Sequence, residues 1–285
     1  MSKLSDYAEN LLADFWRGQS LGIASDFTVA LLSVAADTGA TKLTGTGYAD
    51  ITVTRSFANF AGTQAPASTL TSSGTSHQTS NNTLWDFGTV GAGGWGTMNA
   101  VGLYDGTELF AWAPCDARTL IEGDAVSFDP GTVIFTLGLA GGMSNYLSNQ
   151  LIDTVFRGAS YTLPANTYAA YTTTTPTNAT PGLEPGVGGY ARVAIASSLS
   201  GWGPTQGDLS TDPSSGTGGR IGNRAAIVFP EPTAYQGIAT HAELWDAASG
   251  GNFLAWRALP QPRTIQPGGA TPPRFVADAF GITFA

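Results

Sequence analysis

The chain has 285 residues, room for one large domain or two ordinary ones, and a formal net charge of −9. Only 12% of residues are charged, and Lys3 and Lys42 are the only lysines, so it lacks the basic face that nucleic acid or an anionic membrane requires. Cys115 is the sole cysteine, which excludes an intrachain disulfide and argues against a cysteine-based zinc site.

The N-terminal stretch "MSKLSDYAENLLADFW" is acidic and amphipathic, without the apolar region of a secretory leader. Within it Leu4, Tyr7, Leu11, Leu12, Phe15 and Trp16 recur at spacings of three and four, which predicts a helix closed by Arg17-Gly18. The period then changes to two. Phe27, Val29 and Leu31, then Ile51 and Val53, then Val101 and Leu103 read as strands separated by Gly- and Asp-rich turns. "GAGGWG" (91–96) has dinucleotide-loop spacing but lies between strand patterns and opens no helix, so it reads as a glycine-rich turn. No run approaches the roughly 18 apolar residues of a membrane helix. The chain is therefore expected to be soluble.

From about residue 141 the order repeats. "NLLADFWRG" (10–18) matches "QLIDTVFRG" (150–158), where Leu147, Leu151, Ile152, Val155 and Phe156 predict a second helix. "FTVALLSV" is matched by "TYAAYTTT", and "GTGYADITVTRS" (45–56) by "GVGGYARVAIAS" (186–197). "GTMNAVGLYD" (96–105) matches "GIATHAELWD" (237–246), and "GTELFAWAPCDARTLIEGD" (106–124) matches "GGNFLAWRALPQPRTIQPGG" (250–269). Matched blocks in one order, with length differences confined to turns, indicate a tandem duplication with its seam near Gly141-Gly142. The expectation is two repeats, 1–140 and 141–285. Each is predicted to be a mainly β, antiparallel, jelly-roll-like sandwich of six to eight short strands with one leading α-helix.

The regularity breaks once per repeat, at corresponding places, in the long segments 58–82 and 197–223. Segments this long inside compact domains are often functional, and here a plain surface excursion is an equal alternative. His77, Asn81, Trp202, Asp208 and Arg220 in these segments are the candidate partner-contact residues.

No catalytic constellation stands out. His77 and His241 lack a nucleophile elbow or a paired carboxylate and read as a solvated loop His and a hydrogen-bonded strand His. Asp208 and Asp212 could chelate a cation, but no calcium-loop pattern accompanies them. Trp112 and Trp256 occupy matched positions and are expected in the core. No cofactor, metal or catalytic residue is assigned.

The second repeat resembles small virion structural proteins of tailed bacteriophages. The resemblance rests on "YTLPANTYAAYTTTTPT" (161–177), "GVGGYARVAIA" (186–196), "GIATHAELWDAASGGNFLAW" (237–256) and the closing "TIQPGG", and it covers the first repeat more weakly. It differs from the family pattern in being doubled, and in carrying Asp50 where the second repeat has Arg192. The resemblance implies a non-enzymatic component of the virion that contacts the major capsid protein or neighbouring virion proteins. A capsid decoration (cement) protein is the leading reading, since no fibre-shaft repeat is present. The alternative is a tail-fibre or receptor- and glycan-binding module. Repeated positions on a virion favour a homotrimer.

Overall fold

The computed structural model describes residues 3–139, 141–269 and 272–284. The predicted seam after residue 140 falls on Ala140, outside the described residues. The first repeat runs β1 (Lys3–Leu4), α1 (Asp6–Trp16), β2 (Asp26–Val34), β3 (Thr41–Lys42), β4 (Ile51–Thr54), β5 (Gln78–Ser80), β6 (Trp85–Thr89), β7 (Gly96–Asp105), β8 (Glu108–Leu120), β9 (Ala125–Phe128) and β10 (Ile134–Thr136). The second runs β11 (Gly142–Met143), α2 (Asn145–Arg157), β12 (Asn166–Thr172), β13 (Val193–Ala196), β14 (Arg220–Gly222), β15 (Ile227–Val228), β16 (Gly237–Trp245), β17 (Phe253–Ile265), β18 (Arg274–Phe275) and β19 (Gly281–Thr283). The chain is mainly β, in two similar halves with one helix each. No helix among the described residues is long and apolar enough to cross a membrane.

Both halves build the same sheets. The main sheet is ordered β1-β8-β7-β2-β3 in the first half, with β4 also on β2, and β11-β17-β16-β12-β13 in the second. Register is shared as well: Val29 lies opposite Leu103 and Ile51, while Ala169 lies opposite Leu244 and Val193. Two small sheets complete each half, β5-β10 and β6-β9 in the first, β14-β19 and β15-β18 in the second. All these pairings are antiparallel. The matched hairpin turns differ in length. Glu108 pairs directly with Asp105 around Gly106-Thr107, whereas in the second half the Asp246 carboxylate accepts from the backbone and side-chain amides of Asn252 (both 2.6 Å) to close a longer loop.

The compact units divide the chain differently from the repeats. One unit takes the chain through Glu9, Gly22–Leu137 and Asn149–Tyr161; the other takes Asn10–Leu21, Gly138–Ser148 and the chain from Thr162 onward. Each main sheet therefore packs in one unit with most of the helix of the opposite repeat. In the first unit Phe156 of α2 stands among Phe27, Phe60, Phe110 and Phe135, with ring centroids 5.9–6.2 Å away, and all five rings are fully buried. In the second unit Trp16 of α1 is fully buried against Phe284 at 6.4 Å. Such rings contribute more than area alone, because edge-on and tilted pairs align their quadrupoles.

Candidate functional site

The two long segments are where sequence placed the contact residues. Their structure begins with the helix ends. Gly18 and Gly158 follow the helices with φ of +80° and +69°, and a Cβ on either would lie 2.4 Å from Ser197 O or 2.7 Å from Arg55 O. Only glycine turns the chain there. The arginine before each glycine is buried with essentially no exposure, which requires that its charge be matched.

Long segment 58–82 supplies the match for Arg157 inside the first unit. Nε donates to Phe60 O (3.0 Å), and Nη2 donates to Leu70 O (2.8 Å) and Ser68 O (3.2 Å). Nη1 donates to Asp153 Oδ1 (2.5 Å) and Ser72 Oγ (3.1 Å), and the guanidinium lies 4.1 Å over the Phe57 ring. Asp153 in turn accepts from Ser72 N (2.9 Å) and Ser72 Oγ (2.6 Å).

Segment 197–223 does the same for Arg17 inside the second unit. Nε donates to Trp202 O (3.1 Å), and Nη1 donates to Asp212 O (2.8 Å) and Asp14 Oδ1 (2.7 Å). Asp14 accepts from Ser214 N at 3.0 Å. One turn earlier, Asn149 bonds Thr63 Oγ1 and donates to Gly74 O (3.3 Å), while Asn10 bonds Thr205 Oγ1 and donates to Gly216 O (3.0 Å). The planar five-donor guanidinium suits a ring of backbone carbonyls in a way that a lysine would not.

Residues 60–81 and 202–223 correspond one to one without a gap: Phe60 with Trp202, Thr63-Gln64 with Thr205-Gln206, Ser72-Ser73-Gly74 with Ser214-Ser215-Gly216, and Asn81 with Asn223. Even the unusual backbone recurs. Ala67 and Leu209 both have positive φ (62° and 55°), and His77 (58°) stands where the other repeat has Gly219 (56°). Each segment ends on a buried asparagine that ties together backbone from several turns. Asn81 accepts from Val133 N (2.9 Å) and donates to Thr83 O (3.0 Å) and Asp129 O (2.8 Å). Asn223 accepts from Phe280 N (2.8 Å) and donates to Ala225 O (2.7 Å) and Val276 O (2.9 Å).

Asn81 and Trp202 are fully buried, because both belong to the internal bonding that shapes the helix-holding segments. His77 is half-buried at a left-handed turn, its carbonyl accepting from Leu137 N (3.0 Å). Asp208 is exposed and accepts from Ser210 N (3.0 Å), and Arg220 pairs with Asp278 (2.6 Å). His77 and Asn81 lie in the first unit, and Trp202, Asp208 and Arg220 in the second. Within each unit the structure brings together instead one arginine and its Asp and Ser partners, Arg157 with Asp153 and Ser72 in the first and Arg17 with Asp14 and Ser214 in the second. Sequence reading took Arg-Gly only as a helix end and overlooked these partners, although the shared Thr-Gln and Ser-Ser-Gly-Thr runs could have marked them.

Other sequence readings find their places. "GAGGWG" is a turn in which buried Trp95 donates Nε1 to Thr46 O (2.9 Å). Trp112 is in the core, but its match Trp256 is only half-buried, with Nε1 toward Asn178 Oδ1 (3.3 Å). His241 Nδ1 lies 2.9 Å from Thr240 Oγ1, and burial lowers its pKa.

The Asp50 and Arg192 difference is compensated nearby. Lys42 bonds Asp50 (2.8 Å) and Arg192 bonds Glu184 (2.6 Å), so the second repeat carries the same ion pair with the charges exchanged. The cation lies over the matched β7 or β16 ring in both, Lys42 Nζ 4.0 Å from Tyr104 and Arg192 Cζ 3.6 Å from Trp245. The tyrosine of the shared Tyr-Ala pair donates to whichever partner is acidic, Tyr48 to Asp50 (2.9 Å) and Tyr190 to Glu184 (2.7 Å).

A protein-family model described as "Podophage GP4 fiber I protein gp80" matches residues 3–136 and again 142–283. No curated protein matches the chain.

Proposed function

The chain belongs to the Podophage GP4 fiber I protein gp80 family, and from that premise we propose that it is a non-enzymatic structural subunit of the tail fibre. It is a tandemly duplicated structural protein of the phage virion. The observation that carries the fibre reading is the match of a fibre-protein family to each repeat in turn, over nearly the whole length. Capsid decoration, the leading expectation from sequence, gives way to it because the family is described by a fibre. The missing heptad or collagen-like shaft no longer weighs against a fibre, since a globular module can cap or join a fibre without forming its shaft.

The interior chemistry supports a structural role. Its buried arginines are used on backbone carbonyls and carboxylates that hold helices and loops. We further propose that the subunit is homotrimeric and contacts neighbouring tail proteins. Immunogold labelling of purified virions tests the location, with gold expected on the tail appendages. Label spread over the shell would restore the decoration reading. Light scattering on the isolated protein tests the trimer, and a monomer at high concentration would remove it.

A further inference from the structure

The family model fits one repeat at a time, yet each repeat keeps only the first turn of its own helix. Segment 60–81 of the first repeat holds Asn149, Asp153, Phe156 and Arg157 of the second, while segment 202–223 of the second holds Asn10, Asp14 and Arg17 of the first. A single repeat standing alone would leave the Phe60 carbonyl without a donor and would take the guanidinium away from the carbonyls of Ser68 and Leu70. Phe27, Phe110 and Phe135 would face a hole where Phe156 now sits. Unmatched buried polar groups and cavities of that size are both strongly unfavourable.

We infer that each repeat carries a helix-binding surface whose partner is a second copy of the repeat, and that duplication supplies this partner within one chain. The surface is selective for stated chemistry. It takes a helix presenting Asn, then Asp four residues later, and closing on an aromatic-Arg-Gly or equivalent end. The ring of backbone carbonyls demands a guanidinium, because an ammonium cannot reach several planar acceptors at once. The inference stands independently of the fibre assignment.

Two experiments on the full chain test it. Thr63 Oγ1 accepts from Gly74 N (2.8 Å) and bonds Asn149, and Thr205 Oγ1 accepts from Gly216 N (2.7 Å) and bonds Asn10. Thr63→Ala should therefore speed amide hydrogen exchange in α2 by about tenfold while sparing α1, and Thr205→Ala should do the reverse. If each substitution loosens the helix of its own repeat, the inference is overturned. In the second experiment a protease site is inserted after residue 140 and cut. Native mass spectrometry at micromolar concentration should find the two fragments as one 1:1 complex, and Arg157→Ala should weaken that complex by at least about tenfold. Separation of the wild-type fragments, folded or unfolded, would overturn the inference.

Discussion

Arg157 and Arg17 solve one problem with different local means. Arg157 takes its carboxylate from Asp153, four residues back, and Arg17 takes its own from Asp14, three residues back. Either spacing places both side chains on one helix face. Asp153 is almost wholly enclosed and bound twice more by Ser72, whereas the Asp14 side chain retains 18% exposure. The repeats thus share the interaction and its geometry, while the residue that supplies it has drifted by one position. Comparing the halves by interaction therefore identifies equivalents that comparison by position misses.

The largest expected effect breaks this pairing. Arg157→Ala leaves Asp153 buried without its cation and should cost about 3–5 kcal/mol of stability. Arg17→Ala should cost less, about 2–3 kcal/mol, because water can reach Asp14. Chemical denaturation of the two variants measures the difference. Equal losses would mean that enclosure of the acid does not distinguish the sites.

The second effect concerns the asparagines that end the two segments. Replacing Asn223 by Ala strands Phe280 N and the Ala225 carbonyl, and Asn81→Ala strands Val133 N and the Thr83 carbonyl. Each should cost about 2–3 kcal/mol, and Asp in place of Asn should not rescue, since it lacks the amide donor. Thermal unfolding reads both.

Much of the fold was legible in the sequence, and the helix-holding segments were not. Leu147, Leu151, Ile152 and Phe156 announce a helix because burial repeats every three or four residues, and Val101 and Leu103 announce a strand because it alternates. Those patterns depend only on local geometry. The matched blocks revealed the duplication for a similar reason, since both halves must repeat the same burial. Partners of Arg157 are chiefly backbone carbonyls in another part of the chain, and a carbonyl carries no residue identity. Nor does any local pattern say that a helix packs with the opposite repeat. Asn81 and Trp202 read as contact residues because polar and aromatic side chains in long loops usually face outward. Here the loop turns inward to hold a helix.

The third effect is a pH dependence to which one acid of each half contributes. Glu243 on β16 is fully buried, at a position where the first half has Gly102. It accepts from Gly182 N (2.6 Å) and Trp245 Nε1 (3.0 Å), yet burial outweighs those bonds and pushes its carboxyl up to about 7. A carboxyl raised on folding contributes most when protonated. Its contribution is whole below the ordinary carboxylate range and is lost as pH rises through about 7. Stability should fall by about 1–2 kcal/mol between pH 5 and 8 on this account. Glu9, also raised to about 7 by burial and by Asp6 and Asp37, adds to the same slope. Glu243→Gln should reduce the slope while leaving the remainder due to Glu9. An unchanged slope in that variant would assign the whole effect elsewhere.

The smallest effect tests whether polarity itself matters. Lys42→Glu alone places two acids together at the first-half ion pair and removes the cation over Tyr104. Because the Lys42 and Asp50 side chains retain 34% and 26% exposure, the loss should be only about 1 kcal/mol. Adding Asp50→Arg recreates the arrangement of the second half, with a guanidinium on the neighbouring segment and an acid facing it. Tyr48 can then donate to the new carboxylate as Tyr190 does to Glu184, and Arg suits an aromatic face better than Lys does. The double variant should recover at least half of the lost stability, and the coupling should shrink in high salt, where exposed pairs are screened. If the two losses simply add, the exchange of charges between the repeats depends on surroundings beyond the pair and its ring.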